Sequence, residues 1–340
     1  MRKAASEPQG LWPPGFDRGT EEEWSSAAVD EVAIRYDALK LTGWYSNLDH
    51  TVELLRRSLR DGDILVDYSG GTGILEERLL AAEPRKPFGI VIVDSSAKLL
   101  RLALEKFRDE PRVAFRMLGF VKPERRLEYL DECLGKLTPP RAVDTIVSTN
   151  AIHLYYGLLD TLRGWSRALK PGGRAFIQSG NIWHPEAREG EWIIDETVSE
   201  IHRITMDIVS QERRYAKYRG VLDDTEKLAQ YAALTNKYFL PVRPLEHYLR
   251  TLEQSGFEDF EVQKLNVDVK VDEWLALLEL YHEGVLGWVG GAEKIEGRPP
   301  SEPAVKDRLD LMRKALVRLF GKGGRFTAYW THVACKTPAA

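Results

Sequence analysis

Short apolar runs alternating with amphipathic stretches predict an α/β protein built on a mostly parallel sheet, and three observations carry that expectation. Residues 64–74 read I-L-V-D-Y-S-G-G-T-G-I, a buried strand that passes through a glycine turn into the start of a helix. The pattern then repeats, with apolar runs at 88–93, 113–117, 143–148 and 174–178 separated by helical segments. Such β-α-β units are joined most economically as parallel strands with right-handed crossovers. The length of 340 residues, with 43% hydrophobic and 29% charged content, allows two domains or one enlarged α/β domain, and core size is no limitation.

Residues 11–19 are rich in Pro and Gly and carry Trp12 and Phe16, which suits an irregular arm anchored by its aromatics. Residues 20–41 turn helical, with Thr20 as N-cap and Glu21, Glu22 and Glu23 well placed in the first turn. A second helix over 49–60 puts Val52, Leu55 and Leu59 on one face and stops at Asp61-Gly62-Asp63. After the glycine turn come a helix at 74–82 and a strand at 88–93 closed by Asp94. A helix capped by Ser95 or Ser96 runs to about residue 108, followed by a strand at 113–117 and a helical segment at 123–137. The fourth strand, 143–148, follows Pro139-Pro140; the helix at 158–169 ends at Lys170-Pro171-Gly172-Gly173 before the fifth strand.

Beyond Trp183 the rhythm breaks, because 189–218 and 225–239 read as two long helices with no strand between them, an inserted lid. Alternation resumes with a helix at 244–255 and a strand at 260–267, then helices at 272–286 and 303–320 and a last strand at 326–335. The organisation expected is a helical cap or arm over 1–60, a core over 61–181, a lid over 182–243, and completion of the core over 244–338 with a helical insertion at 270–322.

A net charge of -4 gives no basic footprint for nucleic acid. Two cysteines, Cys133 and Cys335, lie far apart without C-x-x-C spacing, which argues against a zinc site or a disulfide framework and fits a reducing compartment. Residues 1–5 carry two positive charges, but Glu7, Pro8 and Gly10 stand where a signal peptide needs an apolar core, and no run approaches a transmembrane helix. The expectation is a cytoplasmic protein with no metal, no membrane partner and no nucleic acid.

Three stretches together resemble class I S-adenosylmethionine (SAM)-dependent methyltransferases. Residues 66–73, V-D-Y-S-G-G-T-G, resemble the family's first motif, with Asp67, Gly71 and Gly73 matching and Ser69 standing where the first glycine is usual. Residues 89–100, G-I-V-I-V-D-S-S-A-K-L-L, resemble the second strand with its ribose-binding acid, here Asp94 followed by Ser95. Residues 143–174, with Asp144, His153 and the L-K-P-G-G turn, resemble the fourth strand and the helix after it. The likeness returns at L-E-Q-S-G-F, 252–257, and in the last strand. It implies a Rossmann-like, seven-stranded, mostly parallel sheet of order 3-2-1-4-5-7-6 with the last strand antiparallel, carrying a helical cap and insertions.

The resemblance implies SAM as cofactor, held by Asp67, Ser69, Gly71, Gly73, Asp94, Ser95, Leu118, Gly119 and Asn150. One departure is that the third strand runs into Leu118-Gly119-Phe120 without the acid that commonly reads the adenine amino group. Catalytic candidates are Asn150, His153 and Tyr156, although His153 reads first as a structural histidine bonded to backbone, and Asn150 cannot act as a base. Tyr36, Trp44, Tyr45, Tyr155 and Trp183 are candidates for a substrate pocket, where aromatic faces could hold a sulfonium or an amine, or simply pack as core and rim. The expected function is methyl transfer to a small-molecule acceptor, and the same reading allows a homodimer. Two alternatives stand beside it: a SAM-consuming enzyme that releases methylthioadenosine by cyclisation or aminocarboxypropyl transfer, and a non-catalytic SAM-binding partner subunit.

Overall fold

A computed structural model describes residues 11–14, 16–135 and 141–339. The charged residues 1–5, and Pro139-Pro140, lie outside the described residues. The main sheet contains β1 (Ile64–Tyr68), β2 (Gly89–Asp94), β3 (Val113–Met117), β4 (Val143–Thr149), β5 (Leu169–Ser179), β6 (Glu258–Lys270) and β7 (Arg325–Lys336). Their spatial order is β3-β2-β1-β4-β5-β7-β6, with β7 antiparallel to both its neighbours, as expected. Every residue of β1 and β2 is buried, because helices cover both faces of the sheet, and this is why the two strands read as unbroken apolar runs. Val66 lies beside Val91 on one side and Ile146 on the other, which fixes the register of the central strands. At the edge, β6 sets exposed positions against half-buried ones and, toward its end, against the buried Val267 and Val269, as an edge strand facing water on one side should.

The helices are α1 (Glu31–Ala38), α2 (Asp49–Ser58), α3 (Ile74–Ala82), α4 (Ala97–Phe107) and α5 (Leu158–Ala168), followed by α6 (Glu196–Gln211), α7 (Thr225–Tyr238), α8 (Leu245–Gln254), α9 (Val271–Leu280) and α10 (Glu302–Phe320). One face of the sheet buries Leu55, Leu79, Leu104 and Phe107 from α2, α3 and α4. On the other, Trp165 and Tyr248 come from α5 and α8. A third core joins the amino-terminal arm to α6, α9 and α10 through Trp44, Ile201, Trp274 and Leu311. Where α6, α9 and α10 pack, Arg308 is fully buried and donates to the carbonyls of Val289 at 2.8 Å and Gly291 at 2.7 Å, and to His282 Nδ1 at 2.7 Å.

Five expectations need correction. Residues 20–41 form no continuous helix: a 3₁₀ turn at Glu23–Ser26 buries Trp24 against Phe115, and α1 starts afresh where Asp30 accepts from the amides of Val32 and Ala33. A local cap outcompetes helix continuation there. The segment expected as a helix over 123–137 is a hairpin, Phe120–Val121 with Arg126–Leu127, then a short helix at Leu130–Leu134. Arg125 turns that hairpin at φ 54°, and residues 136–137 lie outside the described residues. The lid begins with a short strand, Glu191–Trp192, beside β7, so α6 starts only at Glu196. The helix expected over 272–286 breaks at Tyr281 into α9 and a separate turn at His282–Leu286. Finally, the K-P-G-G segment is part of β5, where Gly172 at φ 72° accommodates a shift in register against β4.

Candidate functional site

The chain leaves β1 through Ser69, Gly71 and Gly73, all left-handed, at φ 68°, 58° and 76°. The turn is tightly enclosed: a Cβ on Gly70 would stand 2.7 Å from Asp67 Oδ2, and one on Gly73 would stand 2.6 Å from Phe107 Cε2. Ser69 occupies a conformation that disfavours side chains, and its hydroxyl accepts from Tyr155 Oη at 3.1 Å. The same phenol lies 2.9 Å from Ser148 Oγ and 3.3 Å from the Tyr68 carbonyl. Tyr155 is thus a strut between the ends of β1 and β4.

Asp94, buried at the end of β2, accepts from the Gly71 amide at 2.9 Å and the Ser96 amide at 2.7 Å. Burial pushes its carboxyl up and these amides pull it back. Ser95 beside it is exposed. Leu118 is buried, and its amide donates to the Asp94 carbonyl at 2.9 Å. Asp67 and Glu76 are both buried, their carboxyls set against one another with no other side chain among the described residues bonding either.

These residues fit SAM in part. Asp94 has its two oxygens oriented by amides and keeps lone pairs for a pair of ribose hydroxyls, while the first amides of α3 lack intrahelical carbonyls and suit a carboxylate. Gly119 does not fit an adenine-reading role, because its amide already donates to Glu128 Oε2 at 2.8 Å. The hairpin after β3 thus satisfies this amide internally.

A cavity of about 170 Å³, open to solvent, lies at the carboxyl ends of β4 and β5, where ligands bind in open α/β sheets. Asn150 and His153 follow β4, and Gly180 and Asn181 follow β5, on its floor. Tyr36, Trp44 and Tyr45 reach it from the arm. That arm is pinned to the core by Lys106, which pairs with Asp37 at 2.8 Å, and by Lys40, which pairs with Glu77 at 2.7 Å. Tyr238, Phe239, Trp274 and Tyr281 of the insertions complete the lining with Trp330 of β7, and Trp274 meets Trp44 edge-on at 6.2 Å. Trp44 stacks at 6.2 Å on Trp330 and meets Tyr45 at 4.3 Å.

Asn150 sits at φ 55°, its amide bound to the Gln178 carbonyl at 2.7 Å and its Oδ1 accepting from Trp330 Nε1 at 2.7 Å. Its side-chain NH₂ remains the donor on offer. His153 Nδ1 lies 3.0 Å from Ser179 Oγ, and burial drops the imidazole to about 4, so the ring is neutral at neutral pH. The structure thus gathers Tyr36, Trp44, Tyr45, Asn150 and His153 around one space. It does not bring the other pocket and catalytic candidates there: Tyr155 is the strut, Tyr156 is 83% exposed, and Trp183 is 47% exposed and outside the lining.

Sequence reasoning missed Asp195 and Asn181. Asp195 lines the cavity with no side-chain partner among the described residues, and burial pushes its carboxyl up to about 7. Its surface remains partly accessible, which is consistent with a carboxyl whose open side is the cavity itself. An aspartate at the start of a helix reads as an N-cap, so nothing in the sequence distinguished it.

No family model matches the chain, and no curated protein matches it. Among solved structures it is similar to the YcgJ protein from Bacillus subtilis, at 13% identity and a TM-score of 0.50, covering 86% of this chain and 100% of that one. It is also similar to phosphoethanolamine N-methyltransferase 2 of Haemonchus contortus, in complex with phosphomonomethylethanolamine and S-adenosylhomocysteine, at 17% identity and a TM-score of 0.48. That match covers 90% of this chain, which spans 57% of the Haemonchus enzyme. A third, the 4+2 cyclase SpnF, is 15% identical with a TM-score of 0.47, covering 91% of this chain and 94% of that one. At such identities the likeness is one of fold. With its strand order and antiparallel β7, the chain has the Rossmann-like fold of class I methyltransferases.

Proposed function

We propose that the protein transfers a methyl group from SAM to a small acceptor held in the aromatic cavity. The observation that carries this reading is the cavity's place: it opens beside Asn150 and His153 at the end of β4, next in the sheet to the β1 glycine turn. SAM supplies a methyl group already activated on a sulfonium, so the chain has only to align an acceptor, exclude water and take up a proton. Asp94 and the first turn of α3 would hold the ribose and the carboxylate, with Leu118 packing at the adenine side. The arm and insertions, walled by aromatics, leave room for a small molecule and none for a macromolecular surface. When His153 donates from Nδ1 to Ser179, its Nε2 lone pair is free, and the neutral ring can accept a hydrogen bond that orients an acceptor hydroxyl or amine.

The test is to measure SAM binding by calorimetry, then products with and without a panel of small acceptors. The expected result is S-adenosylhomocysteine only when an acceptor is present, and a fall in kcat of about 100-fold in His153→Ala with SAM affinity retained. Methylthioadenosine formed without any acceptor would sink methyl transfer in favour of a SAM-consuming reaction. Tight SAM binding with no product across the panel would instead favour a non-catalytic role.

A further inference from the structure

We propose that the acceptor carries a protonated amine and that Asp195 selects it, an inference that rests on the methyl-transfer reading of the same cavity. Asp195 stands at the N-cap position of α6 but makes no capping hydrogen bond. Other aspartates in this chain do cap: Asp30 accepts from two amides at the start of α1, and Asp224 accepts from the Lys227 amide at the start of α7. The carboxyl of Asp195 forgoes that bond and lines the cavity instead. Burying a carboxylate without a partner is costly, and the cost is recovered when a ligand brings the countercharge.

The rest of the wall supplies no countercharge. Among the described residues, the cavity lining holds no Lys or Arg, and His153 is neutral. An anionic acceptor would meet an unbalanced negative charge, whereas an ammonium would neutralise it. Asn181 adds a second acceptor. Its Nδ2 donates to the Leu240 carbonyl at 3.0 Å, which fixes the amide's orientation and leaves the buried Oδ1 without a partner. An ammonium has three donors and no acceptor, so it matches a carboxylate and an amide oxygen together. Tyr281, which lies 6.0 Å from Tyr238 and edge-on to Phe239 at 6.4 Å, lends aromatic surface that favours a cation.

The experiment is calorimetric titration of the S-adenosylhomocysteine-loaded protein with matched probes: 2-phenylethylamine against 2-phenylethanol, and butylamine against butanol. Asp195→Asn and Asp195→Glu are run beside the wild type, with circular dichroism as the check on folding. In the wild type an amine binds at least about tenfold more tightly than its alcohol; Asp195→Asn abolishes that preference and Asp195→Glu keeps part of it. Equal binding of amine and alcohol, a preference that survives Asp195→Asn, or no binding of either amine overturns the inference. The two readings fail separately. Amine selection with no S-adenosylhomocysteine formed from any amine leaves the ammonium site standing and removes methyl transfer, while turnover of neutral acceptors with indifference to amines does the reverse.

Discussion

Glu76→Gln should make the protein more stable at pH 8 than the wild type, and by less at pH 5. Glu76 is 0% exposed and Asp67 is 1% exposed, the two carboxyls lie against one another, and no cationic side chain pairs with either among the described residues. Burial pushes Asp67 well above the carboxylate range, with the charge of Glu76 adding to it, and burial raises Glu76 as well. The folded state therefore keeps a proton that the unfolded chain releases above about pH 4. Its contribution to stability is fully present below that pH and is lost as pH rises toward the folded pKa, at about 1.4 kcal/mol per pH unit for each retained proton. Glutamine carries no charge at any pH, so it removes one linked proton and relieves Asp67 of its neighbour. The assay is the urea midpoint and slope of both proteins at pH 5, 6, 7 and 8 at constant salt, because titrations common to both cancel in the difference. A stability gap that widens with pH in favour of Glu76→Gln is expected, and two parallel curves would refute the reasoning.

Other substitutions probe the turn and the insertion. Gly73→Ala places a methyl 2.6 Å from Phe107 in a left-handed residue and should cost about 2–4 kcal/mol in urea unfolding. Gly62→Ala, at φ 82° with open space around it, should cost only about 1–2 kcal/mol, so equal losses at the two sites would contradict the packing account. Arg308→Met leaves buried carbonyls of Val289 and Gly291 without donors and should lower stability by about 3 kcal/mol, with an unchanged midpoint counting against it.

The parallel core was the most legible part of the chain. β3 coincides with the apolar run at 113–117, and β1, β2 and β4 differ from their apolar runs by a residue or so, because strands buried on both faces have no polar side to blur the signal. The strand order came from family resemblance, since periodicity carries no information about which strands pair. Helix patterns failed where a local bond competed with continuation, as at Asp30, or where a left-handed residue reversed the chain, as at Arg125. The aromatics of the arm could be marked as pocket candidates, but Tyr155 and Trp183 could not be told apart from Tyr36 and Trp44 by sequence position. Asp195 and Glu76 were invisible for a related reason: acids at the start of a helix are ordinary, and only tertiary placement buries the Glu76 carboxyl against Asp67 and sets Asp195 on the cavity wall.

The sheet is closed by the strand that is synthesised after all its other main strands. β7 is wedged between β5 and β6, and among the described residues it is the only main-sheet partner that β6 has. A nascent chain that has reached residue 320 thus carries a free thirteen-residue β6 and an uncovered edge on β5, both open to pairing with other chains. It also lacks Trp330, and with it the stacking partner of Trp44 and the donor that holds Asn150. The strand that completes the sheet therefore also completes the cavity floor, and a chain cut before β7 would lack both.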